Sequence, residues 1–404
     1  ALGLWASLAV LSGGPVGSFA LRTAALGAPG LLVFDPLAAF FAIPVLVLSA
    51  CGAVYGLGYW EGRRGNTPLL RLVYGLLTAS LLLLVAASHA LTFLLAWEGM
   101  AIAAFMLVMA EDREAETRRA GWIYLAATHT GTLLLFAAFA LLARIQGHAG
   151  FGALPAGLAA SGRGTALFVL FLVGFGFKAG LFPLHFWLPP AHAAAPSHVS
   201  ALMSGVMLKM GILGIVRVLS WVPDPPIWWG GVLVALGALS GLLGVAFALG
   251  QHDLKRLLAY HSIENIGIIL LGLGLGTLGK ALGNPVMEVL GFAGALLHVV
   301  SHSLFKGLLF LSAGSVLHAT GTRDLERLGW LGRRMPWTSA PFLAGAWALS
   351  GLPPLPASVS EWLIYLGASR VLVLILVLPA SPRFVPLSPA LSWARPLSRP
   401  APAS

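Results

Sequence analysis

The chain has 404 residues, of which 58% are hydrophobic and only 9% charged, with a formal net charge of +10. Roughly 25% charged residues is usual for a soluble domain, so this composition defines a polytopic membrane protein. The basic residues are scattered between apolar runs and form no stripe with interleaved aromatics, which argues against nucleic acid as a partner. The one cysteine, Cys51, leaves the chain unable by itself to ligate an iron–sulfur cluster, close a disulfide or form a CxxC redox pair.

A spanning helix needs about 20 apolar residues. Candidate spans fall at residues 2–21, 31–59, 69–87, 88–110, 119–143, 164–188, 197–221, 227–250, 256–277, 286–318, 337–351 and 356–378, about twelve in an all-α architecture. Ala1 opens inside an apolar run without a basic n-region or a cleavage site, so no signal peptide is expected and the natural N-terminus is expected upstream. Charge gathers in alternate connections: Arg63, Arg64 and Arg71; Glu111 to Arg119; Asp253, Lys255 and Arg256; and Arg323 to Arg334. The other connections carry mainly Arg22, Arg144, Arg163, Arg217 and Lys280. By the positive-inside rule the first set faces the cytoplasm of a multi-pass protein in the cell's inner (plasma) membrane. Residues 379–404, PASPRFVPLSPALSWARPLSRPAPAS, are expected to be a disordered tail or the scar of a truncated or frame-shifted gene, since repeated Pro excludes a span.

The N-terminal helices, 1–87, precede a membrane domain over 88–378, divided into halves at 88–250 and 251–378. Its centre is the stretch Phe171 to Arg217, which is apolar yet carries Lys178, His185, His192, His198 and Lys209 and is broken by Pro183, Pro189, Pro190 and Pro196. A lysine at the bilayer centre costs roughly 2.5–3.5 kcal/mol on insertion scales. Irregular backbone survives at that depth only inside protein or beside a water-filled cavity. A buried, hydrated, functional site is therefore expected.

Glu98 lies midway along HALTFLLAWEGMAIAAFMLVMA, too far from either polar end to reach water easily. A structural glutamic acid is the plainer alternative to a proton-exchanging one. Lys178 precedes the break, where snorkelling would also account for it; Glu98 and Lys178 are candidates for a proton-sharing pair. His198 and Lys209, eleven residues apart, fall on one face of a regular helix about 16 Å apart, as a helix-packing pair or as a water-bridged relay. His185 and His192 flank the break and fit an interfacial position equally well. In HSIENIGII, His261 and Glu264 are one turn apart and form either a local ion pair or part of a relay. HVVSHSLFKGLLFL sets His298, His302 and Lys306 at i, i+4 and i+8, three titratable groups on one face. Zinc could use His298 and His302, but no third ligand is local and the Glu of HExxH is absent, so a polar stripe beside a hydrated path is preferred. Glu361 follows a second Pro/Gly break, SGLPPLPASVS. Two broken hydrophobic segments in corresponding positions point to two inverted repeats with ion sites at their centres. GLGLGTLGKA over 272–281 matches GxGxxG, but no strand precedes it and Ala281 occupies the Ser/Thr position of a P-loop, so nucleotide binding is set aside.

The strings FKAGLFPLHFWLPPAHAAAPSHVSALMSGVMLKMGI, DLKRLLAYHSIENIGII, SHSLFKGLLFLSAGS and SEWLIYL, with AWEGM upstream, resemble the antiporter-like subunits shared by respiratory complex I, Mrp-type cation/proton antiporters and membrane-bound hydrogenases. HSIENIG and SHSLFKG are most similar to the hydrogenase-4 component B branch, which includes the large membrane subunit of formate hydrogenlyase. The resemblance implies a bundle of about fourteen helices that moves protons, or sodium, when a redox arm drives it. It also implies other membrane subunits and a peripheral hydrogenase-like arm as partners, and no cofactor of its own. It makes Glu98 and Lys178 the carboxylate and lysine of a first half-channel, Lys209 its connecting lysine, Lys306 the lysine of a second, and Glu361 its terminal acid. LPPLPASVS lacks the Gly-rich, Phe-containing turn expected before that acid, and the Pro-rich tail stands where further helices are expected, so the chain is read as a fragment. Competing readings are a complex I or Mrp subunit, a passive membrane scaffold, and a quinone-reactive enzyme that one cysteine makes untenable without partners.

Overall fold

A computed structural model describes residues 1–21, 30–60 and 67–369. Arg22, Arg63, Arg64 and the Pro-rich stretch 379–404 lie outside the described residues. Among those described, nine helical segments are long and apolar enough to cross a membrane. These are α2 (Pro36–Tyr59), α3 (Pro68–Ala86), α4 (Ala90–Val108, continued by one 3₁₀ turn), α5 (Ala115–Gln146), α6 (Gly162–Ala179), the continuous rod of α8 (Ser197–Leu202) and α9 (Leu208–Trp221), α10 (Ile227–Leu249), α11 (Leu254–Ala281) and α12 (Pro285–Thr320).

Four predicted spans differ. Residues 2–21 do not make one helix: α1 covers only Leu2–Leu11, and Gly17–Leu21 (β1) pairs antiparallel with Gly30–Phe34 (β2). Gly13, with φ 92°, and Gly14–Pro15 end the helix there, so a small hairpin interrupts the all-α fold. The last two segments, α13 (Pro336–Leu349) and α14 (Pro356–Ala368), are 14 and 13 residues long, and the part of the final span beyond 369 is undescribed. The span expected at 164–188 stops at Ala179, because Gly180 turns the chain at φ 74°. The short α7 (Leu188–Ala194) then precedes α8.

Local chemistry sets the helix ends. Asp35 caps α2, its carboxylate accepting from Ala38 N at 2.8 Å. Arg217, near the end of α9, grips the same carboxylate with both terminal nitrogens, tying the hairpin end of α2 to the end of the central rod. The α8–α9 rod is buried without a break from Ser197 to Ile215, while Leu95, Ile102, Trp122, Leu133 and Trp347 face outward. Small residues let backbones approach closely where apolar attraction between helices is weak. A Cβ on Gly244 of α10 would sit 2.6 Å from Glu264 N of α11, and one on Gly237 2.7 Å from Leu271 N. That contact presses Glu264 into the interior.

Candidate functional site

Buried cations and imidazoles run through the middle of this apolar bundle. Lys178, Lys209, Lys255 and Lys306 are each at most 2% exposed, and His192, His261, His298 and His302 are fully enclosed.

At one side, Lys178 occupies the last turn of α6, where carbonyl dipoles favour a cation. Its Nζ donates to Tyr124 Oη at 3.3 Å and lies 5.6 Å from the Trp97 ring centre. Glu98 and Lys178 do not form a direct pair. Glu98 Oε2 instead faces His129 Nε2 at 3.5 Å, and Tyr124 of α5 bridges Ala101 O on α4 and Lys178 on α6. Glu98 remains within electrostatic reach of Lys178 and Tyr124.

His198 and Lys209 are not on one face. Met203–Met207 forms a π turn between them, and its extra residue rotates the remainder of the rod by about 100° relative to a regular helix. His198 is edged against Trp60, ring centres 4.4 Å apart, with Tyr59 and Tyr74 beside it. Lys209 turns back to donate to Ser204 O at 2.6 Å, inside the π turn. The Ser204 hydroxyl meets that of Ser262 on α11 at 2.8 Å.

In α11, His261 Nδ1 and Glu264 Oε2 are 2.6 Å apart, and the other ring nitrogen of His261 has no partner among the described residues. Lys306 Nζ reaches from α12 to Leu258 O at 2.7 Å, within electrostatic reach of Glu264. His298, His302 and Lys306 share one face of α12, as their spacing predicts; the two rings lie 6.3 Å apart. His302 has both nitrogens buried and unpartnered among the described residues. His298 is held at both ends, by Asn265 Oδ1 at 3.0 Å and Ser360 Oγ at 2.9 Å. Asn265 Nδ2 donates to His261 O, so its oxygen faces His298 and Nε2 carries a proton. Ser360 Oγ is also 2.7 Å from Ala357 O. With one hydroxyl proton, it donates to Nδ1 of a neutral ring, or donates to Ala357 O and accepts from a protonated one. The pocket therefore suits both protonation states.

Glu361, next to Ser360, is half-buried, and its carboxylate packs on Gly351, where a Cβ would fall 2.6 Å from Oε2. His185 stacks on Phe182, ring centres 5.1 Å apart. His192 stacks on Phe310 with neither ring nitrogen partnered among the described residues.

Sequence reasoning missed Tyr124, Asn265 and Ser360. It also placed Lys255 among the loop charges, and the structure corrects this. Lys255 is in the first turn of α11 and 1% exposed. Its Nζ donates to Ala195 O and, at 3.4 Å, to Ala193 O at the α7–α8 break. The signal was its spacing to Leu258 and Ser262, which puts it on the buried face of the helix.

Fold and site together define a multi-pass membrane protein with protonatable side chains threaded through its core. A solved relative has the same architecture: the membrane-bound sulfane sulfur reductase, an archaeal respiratory membrane complex, matches at a TM-score of 0.81 and 27% identity, over 98% of this chain and 66% of that one. The chain belongs to the family described as NADH:quinone oxidoreductase/Mrp antiporter, transmembrane, whose model matches residues 87–381. Hydrogenase-4 component B of Escherichia coli K12 is 42% identical over 335 residues, 82% of this chain and 50% of that protein. Formate hydrogenlyase subunit 3 of the same organism is 38% identical over 367 residues, 87% and 59% of the two chains. The chain thus spans half to three-fifths of the length of these curated relatives.

Proposed function

We propose that this chain is the ion-translocating membrane subunit of a hydrogenase or formate hydrogenlyase type complex, moving protons, or sodium in exchange for protons, while partner subunits carry out the redox chemistry. The observation that carries this reading is the set of buried lysines, Lys178, Lys209 and Lys306, each held by a neutral oxygen rather than a carboxylate. A group meant only to fix structure gains from a fixed ionic partner; a group meant to exchange protons must be able to exist in both forms.

In this reading Glu98 and Lys178 load the first half, over 88–250, and Lys209 passes charge to the second, over 251–378. There Lys306, His302 and His298 lead to Glu361, with Ser360 turning as His298 changes state. His261 and Glu264 bias Lys306 from α11, and His198 lies at the aromatic side of the path. Membrane partner subunits are supported by relatives that belong to membrane complexes, and a peripheral redox arm is part of this proposal. The test is proton flux into vesicles carrying the assembled complex, followed with an internal pH-sensitive dye, for Lys178→Ala beside the unmodified chain. Collapse of flux with assembly and redox turnover intact supports transport; unchanged flux makes the chain a scaffold.

A further inference from the structure

Lys255 has no place in that path, yet it is as buried as the lysines that do. It lies in the wall of a cavity of about 680 Å³ at the charged-loop end of the bundle, enclosed by the α4–α5 connection, the α7–α8 break and the connection after α12. Glu111, Glu114, Glu116, Asp253 and Asp324 line the same space. Clustered carboxylates make a negative potential that concentrates cations, hydronium included. Glu116 is tied back to Arg256, and Asp253 to Arg323.

On its inner side Lys255 holds the carbonyls of Ala193 and Ala195, which bracket the end of α7. One residue before Ala193 comes His192, fully buried, with two unpartnered ring nitrogens among the described residues. The charges within electrostatic reach of His192 are Lys255 from α11, Lys306 from α12 and Lys209 from α9. A helix break leaves carbonyls that any cation could cap. Arg323 already reaches Ala193 O from the cavity side, so capping alone does not account for a second, deeper cation.

Resting on the proposed transport function, we infer that the acidic cavity is the aqueous access to the buried path, and that Lys255 passes protons between its water and His192. The Lys255 ammonium gives a proton to an imidazole nitrogen of His192, and the resulting amine takes one from a hydronium ion in the cavity. His192 then hands its proton on toward Lys209 and Lys306. No bond other than N–H and O–H changes, and no other reactant is needed.

Lys255→Arg separates the transfer role from the capping role. Arginine keeps the charge and can hold both carbonyls, but it does not release a proton at accessible pH. In vesicles bearing the assembled complex, Lys255→Arg is expected to lower proton flux at least tenfold with assembly and redox turnover retained. Flux within twofold of the unmodified chain, while Lys178→Ala abolishes it, overturns the access role and leaves the transport reading standing. Unchanged flux in Lys178→Ala removes the transport reading and this inference with it. If the arginine variant does not assemble, Leu317→Cys in a Cys51→Ser chain places a thiol in the cavity wall. A cationic methanethiosulfonate converts that thiolate to a mixed disulfide with loss of sulfinate. Flux should then fall several-fold and recover on reduction, and flux unaffected by labelling overturns the access role.

Discussion

Asn265→Ala tests whether the polar pocket around His298 works or merely fills space. Asn265 bridges His261 O and His298 Nε2. Its loss leaves the helical carbonyl with its backbone partner but strands a ring N–H that is fully buried. An unsatisfied buried donor costs about 1–3 kcal/mol. The ring loses the contact that fixes which nitrogen carries the proton. If that cost falls on the transfer step, flux drops roughly 5- to 150-fold, at about 1.4 kcal/mol per tenfold. The assay is proton uptake by vesicles carrying the assembled complex, with an internal pH-sensitive dye and redox turnover measured in parallel. A thermal melt in detergent separates transport loss from unfolding. Flux within twofold of the unmodified chain, with the protein folded, would refute the assignment of His298 to the path.

Tyr124→Phe keeps the ring and its edge contact with Trp187 but removes the hydroxyl that accepts from Lys178. Hydrogen bonds to charged groups contribute roughly 1.5–3 kcal/mol, so flux is expected to fall about 10- to 150-fold where that cost falls on the transfer step, the melt reporting the part that falls on the fold; an unaltered rate would show that Tyr124 only packs. Gly244→Ala drives a Cβ against the backbone of Glu264 and should lower stability by about 1–3 kcal/mol as α10 is pushed off α11. Gly241→Ala meets nothing within 4 Å and serves as the silent control; equal melting temperatures for the two variants would refute the close-packing account.

Hydropathy made most of the fold legible, because α2 to α6, α10, α11 and α12 are uninterrupted apolar runs of spanning length. It failed at residues 2–21, where a helix and a strand are equally apolar and only Gly13, Gly14 and Pro15 mark the change. In the site, charged residues in apolar surroundings stood out at once, and the spacing of His298, His302 and Lys306 fixed their shared face. Their partners did not stand out: Tyr124, Asn265 and Ser360 are uncharged polar residues of a kind that helices carry for many reasons. The Met203–Met207 π turn has no sequence signature, yet it decides that His198 and Lys209 diverge. Lys255 sits between Asp253 and Arg256 in a sequence that reads as a polar helix start. Its burial comes from the α7–α8 break folded against it, a contact between residues about 60 apart in the chain.

The chain's two kinds of cation are sorted by chemistry. Its five lysines are Lys178, Lys209, Lys255, Lys280 and Lys306, and all but the half-buried Lys280 are enclosed. No described arginine is buried; Arg217, Arg256 and Arg323 make their ion pairs at the bundle's ends. Were the interior cations there only to cap carbonyls or bind helices together, arginine, with five donors and weaker hydration, would serve as well or better. What distinguishes lysine is that its proton can leave. The neutral oxygens that hold Lys178, Lys209 and Lys306 let each lose its proton without stranding a paired carboxylate in the core. A scaffold has no need of that distinction, whereas a proton path depends on it.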